Sequence, residues 1–573
     1  MKIEVDRTVP RRARRGAALA LAVATILTGS SLGQVKASGR ASEDLASVAS
    51  DRTTALLGIN DIYRIEGLEG GLTGGLARVR ALRLEIEKEF PEALVLHGGD
   101  FLFPSFASRM YQGDQMVSIL NLLDGDALAF DPRMFVTLGN HEFDRGRLGD
   151  ASMVRARIDG SQFRWLGGNI RFVRGPEGKP LVASKNLSRT AMATSGGIRV
   201  GIFGLTLPMV GVQYVDFFAG ELETARELTA ELRAQGAEVV VGLTHLEARA
   251  DRAILERLGE AGPDMILGGH DHESMHVQVN GRWYTKADAD ARTVSLVKLT
   301  KKANGTLVVE PKLLPLAGNN PSPDSMVQAR VDEWQARHAL AFCSSVKAAP
   351  GCLDEAYGRT RTTLEADENK VRGRETSLGN WIADRMLEAF KSCGAQAAFV
   401  NSGALRLNND LPAGTRLTRR HVEELFAYPS PMHLLKIDGA TLRKVAEQSI
   451  RGWPGAGSFL QIAGFGFHHD RPGRKVGGVA WLDPRGARPV LATEPVLAVT
   501  VDFLINPDVG DQDGYQMLKR DQVQKGCGAE GFDIKDLVIR ELKAAELAGI
   551  APVIEGRICQ GEPGTPCLLP PAR

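Results

Sequence analysis

The sequence predicts an α/β protein built in two domains, and three observations carry that expectation. Apolar, β-branched runs alternate with amphipathic helical stretches from Thr54 to about Lys312. Residue types that ligate metals stand where those runs stop, and a turn-rich break at residues 318–324 precedes a second series of helices and strands. A chain of 573 residues is too long for one ordinary core and long enough for two.

In chain order the first element is an export signal. Arg11, Arg12, Arg14 and Arg15 precede an apolar stretch from Ala17 to Leu27, and Val35-Lys36-Ala37 offers the small or apolar residues a signal peptidase reads. The apolar stretch is far short of the roughly 20 residues that span a bilayer, so residues 1–37 are expected to be cleaved rather than to anchor the chain. No cysteine stands at the cleavage point to accept a lipid. A soluble periplasmic or secreted protein without a membrane partner is expected.

The alternating region is predicted to fill residues 50–318. Its strand candidates are ALLGI, ALVLH, MFVTL, IRVGIFGL, EVVVGL and DMILG, with GLARVRALRLEIEKEF as a helix after the first. Such strands are continuously apolar because both faces are covered, and ligands then gather at their C-terminal ends. ALLGI runs into Asn60-Asp61, ALVLH into Gly98-Gly99-Asp100, MFVTL into Gly139-Asn140-His141, EVVVGL into Thr244-His245, and DMILG into Gly269-His270-Asp271-His272.

A single Asp after a strand is ordinarily a helix cap, and a single His a satisfied core residue. Five strand ends so furnished in one domain are hard to explain that way, because unpaired buried charges are costly. Two-metal phosphoesterases need about seven N or O ligands, with one carboxylate bridging cations roughly 3.5–4 Å apart. The candidate ligands are Asp61, Asp100, Asn140, His245, His270 and His272.

Gly139-Asn140-His141-Glu142-Phe143-Asp144, with Gly99-Asp100, Gly242 to His245 and Gly269 to His272, resembles the calcineurin-like metallophosphoesterase superfamily and specifically its 5′-nucleotidase branch. The resemblance implies a four-layer sandwich, two mixed sheets flanked by helices, followed by an α+β C-terminal substrate-binding domain. It further implies that Asp61 and His272 serve one metal, that Asn140, His245 and His270 serve the other, and that Asp100 bridges. His141 and Asp144 become the catalytic dyad, His141 stabilising the phosphoryl transition state or leaving oxygen and Asp144 fixing its tautomer. Two divalent ions (Zn, Mn, Co or Fe) would neutralise the phosphoryl oxygens and lower the pKa of a bound water.

One position departs from the branch, which commonly has D-x-H where this chain has Asp61-Ile62-Tyr63. Tyr63 either packs as an aromatic, leaving the first site one ligand short or completed by water, or coordinates as tyrosinate. Packing or a water-completed site is the expectation.

The break at residues 318–324, GNNPSPD, opens a linker (319–366) with a helix carrying Val327, Val331, Trp334 and Ala341 on one side. A second domain is predicted over 367–555, with a helix bearing Leu378, Trp381, Ile382, Met386 and Phe390, and a Pro-rich tail over 556–573. Its motifs are individually weak, but their order resembles the 5′-nucleotidase C-terminal domain. By that resemblance Arg372 and Arg406 meet phosphate with help from Asn401, Asp513 accepts ribose hydroxyls, and Tyr428 and Phe503 clamp the base. Stacking of this kind tolerates several bases. More residues separate Phe503 from Asp513 than the family suggests. Domain rotation that opens and closes the site is expected by analogy.

The formal net charge of +1, from 70 basic and 69 acidic residues, excludes a global field suited to a nucleic-acid polymer, so an anionic substrate must be held locally. Six cysteines, Cys343, Cys352, Cys393, Cys527, Cys559 and Cys567, permit disulfides in an exported chain, and 15 full pairings are open. Proximity favours Cys343 with Cys352 and Cys559 with Cys567. The leading functional expectation is hydrolysis of nucleoside 5′-monophosphates. Alternatives are a UDP-sugar, 2′,3′-cyclic nucleotide or sulfur-ester hydrolase on the same scaffold, and a catalytically weak nucleotide-binding protein, for which Tyr63 is the one argument.

Overall fold

The structure is a computed structural model, and it describes residues 50–470, 475–483, 486–507, 512–545, 548–560 and 567–569. The predicted signal, residues 1–37, lies outside the described residues, as do 508–511 in the stretch between Phe503 and Asp513.

The apolar runs form the expected strands: Arg52–Ile59, Leu94–His97, Met134–Thr137, Ile198–Thr206, Val239–His245 and Met265–Gly268. They fall into two mixed sheets. In the seven-stranded sheet, Arg52–Ile59 lies between antiparallel Thr293–Lys301 and parallel Leu94–His97, followed by Met134–Thr137. In the six-stranded sheet, Val239–His245 runs parallel to Ile198–Thr206 on one side and Met265–Gly268 on the other.

The sheets face each other across a core of Leu56, Leu94, Leu96 and Phe135 against Ile202, Val241, Leu243 and Leu267. Their approach is close: a Cβ on Gly58 would lie 2.1 Å from Leu267 Cδ2. The helix Leu76–Glu89 buries Leu76, Val79 and Leu82 on the outer face of the first sheet. The helix Glu221–Ala234 buries Ala225, Leu228 and Leu232 on the outer face of the second. Steps of three or four residues put one apolar stripe inward in each case. The result is the four-layer sandwich expected.

The helix Ser325–Ser345, N-capped by the Asp324 side chain, packs Val327, Val331 and Trp334 into the same core as Leu76 and Val79. Its buried stripe continues through His338 and Phe342, whereas Ala341 is only half-buried, because the helical period carries the inward face to those positions.

The second half has its own core around a four-stranded sheet, in the order Met432–Asp438, Pro495–Val501, Ala397–Asn401 and Leu460–Ala463. The helix Ser377–Ala389, capped by Thr376, sets Leu378, Ile382 and Met386 with Phe390 against Phe399 and Ile462, while Trp381 is half-buried. Three disulfides form: the two short-range pairs, Cys343–Cys352 and Cys559–Cys567, and Cys393–Cys527 across 134 residues. Ile558–Cys559, in the expected Pro-rich tail, pairs with Phe465–Asp470.

Candidate metal centre

Six candidate ligands stand at the C-terminal ends of five strands, three from each sheet, and the sandwich brings them together. Asp61, Asp100, His245 and His272 are buried, while Asn140 and His270 are half-buried. Four of them hold left-handed backbone angles: Asp61 (φ 52°), Asp100 (61°), His270 (83°) and His272 (61°). Such angles cost energy in residues with a Cβ and persist where surrounding contacts over-determine them. The loops also leave no room for ordinary side chains: a Cβ on Gly139 would lie 2.1 Å from Asp100 Oδ1.

One cluster joins Asp61, Asp100 and His272, each with a donor atom within 4.8 Å of the others. His272 Nε2 lies 3.2 Å from Asp61 Oδ1. Asp61 Oδ2 accepts from Asn60 Nδ2 and from the backbone N–H of His270, each at 2.8 Å. A second cluster adjoins through Asp100. Its Oδ2 lies 3.1 Å from His245 Nε2, and Asn140 Oδ1 lies 3.1 Å from both His245 Nε2 and His270 Nδ1. Asp100 Oδ1 accepts from the His141 backbone N–H at 2.7 Å, which fixes the carboxylate.

Tyr63 enters the first cluster instead of packing away from it. It is buried, and its hydroxyl lies 2.9 Å from His272 Nε2 and 3.4 Å from both Asp61 Oδ1 and Asp100 Oδ2. Burial, then Asp100 and Asp61, push its phenol well above the usual range.

The dyad residues are also in contact. His141 Nδ1 is 2.8 Å from Asp144 Oδ1, and His141 Nε2 is 3.9 Å from Asp100 Oδ2. Asp144 accepts a further hydrogen bond, at 2.6 Å, from the Tyr428 hydroxyl of the second half. Arg372 is buried and pairs with Glu368, and Arg406 is half-buried in the field of Tyr428, Glu368, Tyr63 and Asp144. Asn401 Nδ2 donates to Asp513 at 2.8 Å. Phe503 is half-buried against the core of the second half, and among the described residues no ring contact joins it to Tyr428.

The sequence matches a model of the calcineurin-like phosphoesterase domain over residues 55–274 and one of the 5′-nucleotidase C-terminal domain over 356–520. The 5′-nucleotidase of Rattus norvegicus is 24% identical over 525 residues, 85% of each chain. The chain belongs to the 5′-nucleotidase family. It is thereby a hydrolase of the phosphoric ester class. Among solved structures, a 5′-nucleotidase precursor from Thermus thermophilus superposes with a TM-score of 0.72 at 24% identity, covering 89% of this chain and all of that one. The sulfate thiohydrolase SoxB of Thermus thermophilus shares the fold at a TM-score of 0.65 and 18% identity, covering 89% and 96%.

Calcineurin-like phosphoesterases use a dinuclear metal site, and the residues of this 5′-nucleotidase-family chain fit one. His245 Nδ1 donates to the Gly98 carbonyl at 2.7 Å and His272 Nδ1 to Glu368 at 2.6 Å. Each neutral ring is thus left with an Nε2 lone pair, facing carboxylate and amide oxygens that carry lone pairs of their own. Converging lone pairs in a buried space call for a cation. The same carboxylates favour positive charge at these points, an ion or else a proton: burial opposes protonation of His245 and His272, yet Asp100 beside the first and Glu368 with Asp61 beside the second pull both up to about 9. His270, buried beside His245, is pushed down to about 3.

Two residues here were not singled out from the sequence. Glu142 accepts backbone N–H bonds from Gly139, Asp100, Phe101 and Leu102 at 2.6–3.1 Å, tying two ligand loops together. It stands inside the quoted motif but carried no signal separating it from a surface acid. Glu368 reaches His272 from 96 residues away, and nothing local in the sequence marks it.

Proposed function

We propose that this chain hydrolyses nucleoside 5′-monophosphates to nucleoside and phosphate. The observation that supports this most directly is the cluster of six candidate ligands that shares Asp100, faced by the buried Arg372 and the half-buried Arg406 from the second half. In this reading Asp61 and His272 hold one ion, Asn140, His245 and His270 the other, and Asp100 bridges. Bound there, two divalent ions would supply Lewis acidity and a nucleophile at neutral pH.

The chain's own groups do the rest. Arg372 and Arg406 offset the phosphate charge, since guanidinium groups match phosphate oxygens in paired hydrogen bonds. His141, steadied through Nδ1 by Asp144, presents Nε2 toward the cluster and stabilises charge on the phosphoryl group or passes a proton to the departing ester oxygen. Tyr428 and Phe503 offer stacking faces for a base, and Asp513, held by Asn401, is the acceptor for ribose hydroxyls.

Export to a periplasmic or extracellular space belongs to the same reading. The basic and apolar pattern of residues 1–37 supports it, and three disulfides suit an oxidising compartment. Among the described residues no helix is long and apolar enough to cross a membrane.

The test is phosphate release by the metal-loaded protein from AMP, UDP-glucose, 2′,3′-cyclic AMP and bis-p-nitrophenyl phosphate. AMP is expected to turn over fastest, and His141→Ala to lower kcat by about 10²–10⁴ with both metals retained. A chain that binds AMP without releasing phosphate, or an H141A variant with full turnover, refutes the assignment.

A further inference from the structure

The Asp61 and His272 end of the cluster is tied across the two halves of the chain by a carboxylate. Glu368 opens the short helix Glu368–Val371, is 1% exposed, accepts a hydrogen bond from His272 Nδ1 at 2.6 Å, and pairs on its other side with Arg372. Its neighbour Asp367 bonds Arg292 of the first half at 3.0 Å, so two consecutive acids seat this helix beside the metal loops.

A buried carboxylate is costly unless its charge is compensated. Here two partners do so, Arg372 on one side and the His272 N–H on the other. An imidazole that binds a cation through Nε2 must keep its proton on Nδ1. An acceptor on that proton fixes the tautomer and the ring plane, and raises the basicity of Nε2. The same carboxylate also holds Arg372, one of the two cations proposed to meet phosphate.

We propose that Glu368 is the positioning residue for His272, so that metal affinity at the Asp61 and His272 position depends on the second half being seated on the first. The proposal rests on the reading of Asp61 and His272 as ligands of one ion. Linkage makes the dependence reciprocal: an ion bound there tightens the seating by the same factor that seating tightens the ion.

The experiment is a titration of the metal-free full chain with cobalt(II), followed by calorimetry and by the visible absorption of the bound ion, for wild type, His272→Ala, Glu368→Ala and Glu368→Gln. Wild type takes up two ions, and H272A loses one step. E368A is expected to weaken that same step about 10–100-fold and leave the other unchanged. E368Q, which keeps an acceptor oxygen, weakens it less. Wild-type affinity at both steps in E368A overturns the proposal, as does equal weakening of both steps, which marks a general loosening. If melting shows E368A unfolded, E368Q carries the test, and an unchanged step there overturns it. If wild type takes up fewer than two ions, or H272A keeps both, the ligand reading itself fails and takes the proposal with it.

Discussion

Glu142→Gln is the change from which the architecture of the metal centre predicts most. Glu142 is fully buried; its Oε1 accepts from the N–H groups of Phe101 and Leu102, and its Oε2 from those of Asp100 and Gly139. Glutamine has the same shape but places an NH₂ where one oxygen stood, whichever way it is turned, so two backbone donors then face a third donor. Each buried group left without its acceptor costs about 1–3 kcal/mol, giving about 2–6 kcal/mol for the pair. For a cooperative unit of a few hundred residues, at roughly 2 °C per kcal/mol, the melting temperature falls by about 4–12 °C. Relief by backbone movement displaces Asp100 and Gly139, so metal content falls as well. Thermal melting of metal-free and metal-loaded protein, with elemental analysis of the loaded form, measures both. A surface glutamate exchanged for glutamine changes stability by only about 0.5 kcal/mol. An E142Q protein that melts within about 1 °C of wild type and holds two metals refutes the reasoning.

Four further outcomes follow from particular contacts. Tyr63→Phe removes a hydroxyl inside the Asp61, Asp100 and His272 cluster and is expected to lower metal content toward one ion per chain; unchanged content and activity in elemental analysis and kinetics returns Tyr63 to a packing role. Tyr428→Phe keeps the aromatic face but deletes the bond to Asp144, a charged acceptor worth about 1.5–3 kcal/mol. Steady-state kinetics should show at least a tenfold loss in kcat with little change in KM, whereas a loss confined to KM counts against a link to the dyad. Burial, with Arg420 and Arg109 nearby, pushes His338 down from 6.5 to about 4, so the unfolded chain binds a proton that the folded one refuses. Stability from this group is complete above pH 6.5 and declines as pH falls toward 4, by about 2 kcal/mol at pH 5, and His338→Phe should flatten that part of the melting profile. Replacing Cys393 and Cys527 by serine opens a cross-link spanning 134 residues and should cost about 2–5 kcal/mol in denaturant unfolding.

The strands of the first half were legible because burial on both faces writes itself as unbroken apolar runs, and the six donors because each closes one of those runs. Pairings between distant segments were not legible. Cys393 finds Cys527, and Glu368 finds His272, only once two domains have folded and met, and no local pattern encodes either. Glu142 was in plain view, but four backbone N–H groups converging on a side chain are a property of loop geometry. The left-handed angles at Asp61, Asp100, His270 and His272 are equally silent, since sequence advertises such angles mainly through glycine. Tyr63 is the sharper case. Its identity departs from the family's usual histidine, which invited a packing role, yet the strand end that aims Asp61 also turns the phenol oxygen into the donor cluster.

A set of polar contacts seats the second half beside the donors. Arg64 donates to the carbonyls of Arg406 and Leu407 and pairs with Glu424, Arg109 pairs with Glu423, Arg292 with Asp367, His272 with Glu368, and Tyr428 with Asp144. Charged hydrogen bonds exchange readily for water or for a ligand's oxygens, whereas an apolar seam would have to be torn open, so a polar seam suits two halves that part and rejoin. Three of these contacts involve residues proposed for chemistry or for substrate: His272, Asp144 and Tyr428, and Arg406 through its carbonyl. In the proposed reading, a phosphate arriving between Arg372, Arg406 and the donor cluster would compete for the groups that hold the halves together. On that reading Glu368 sits at the centre of the competition, because releasing Arg372 to phosphate would leave its carboxylate to His272 alone and strengthen the bond that orients the imidazole.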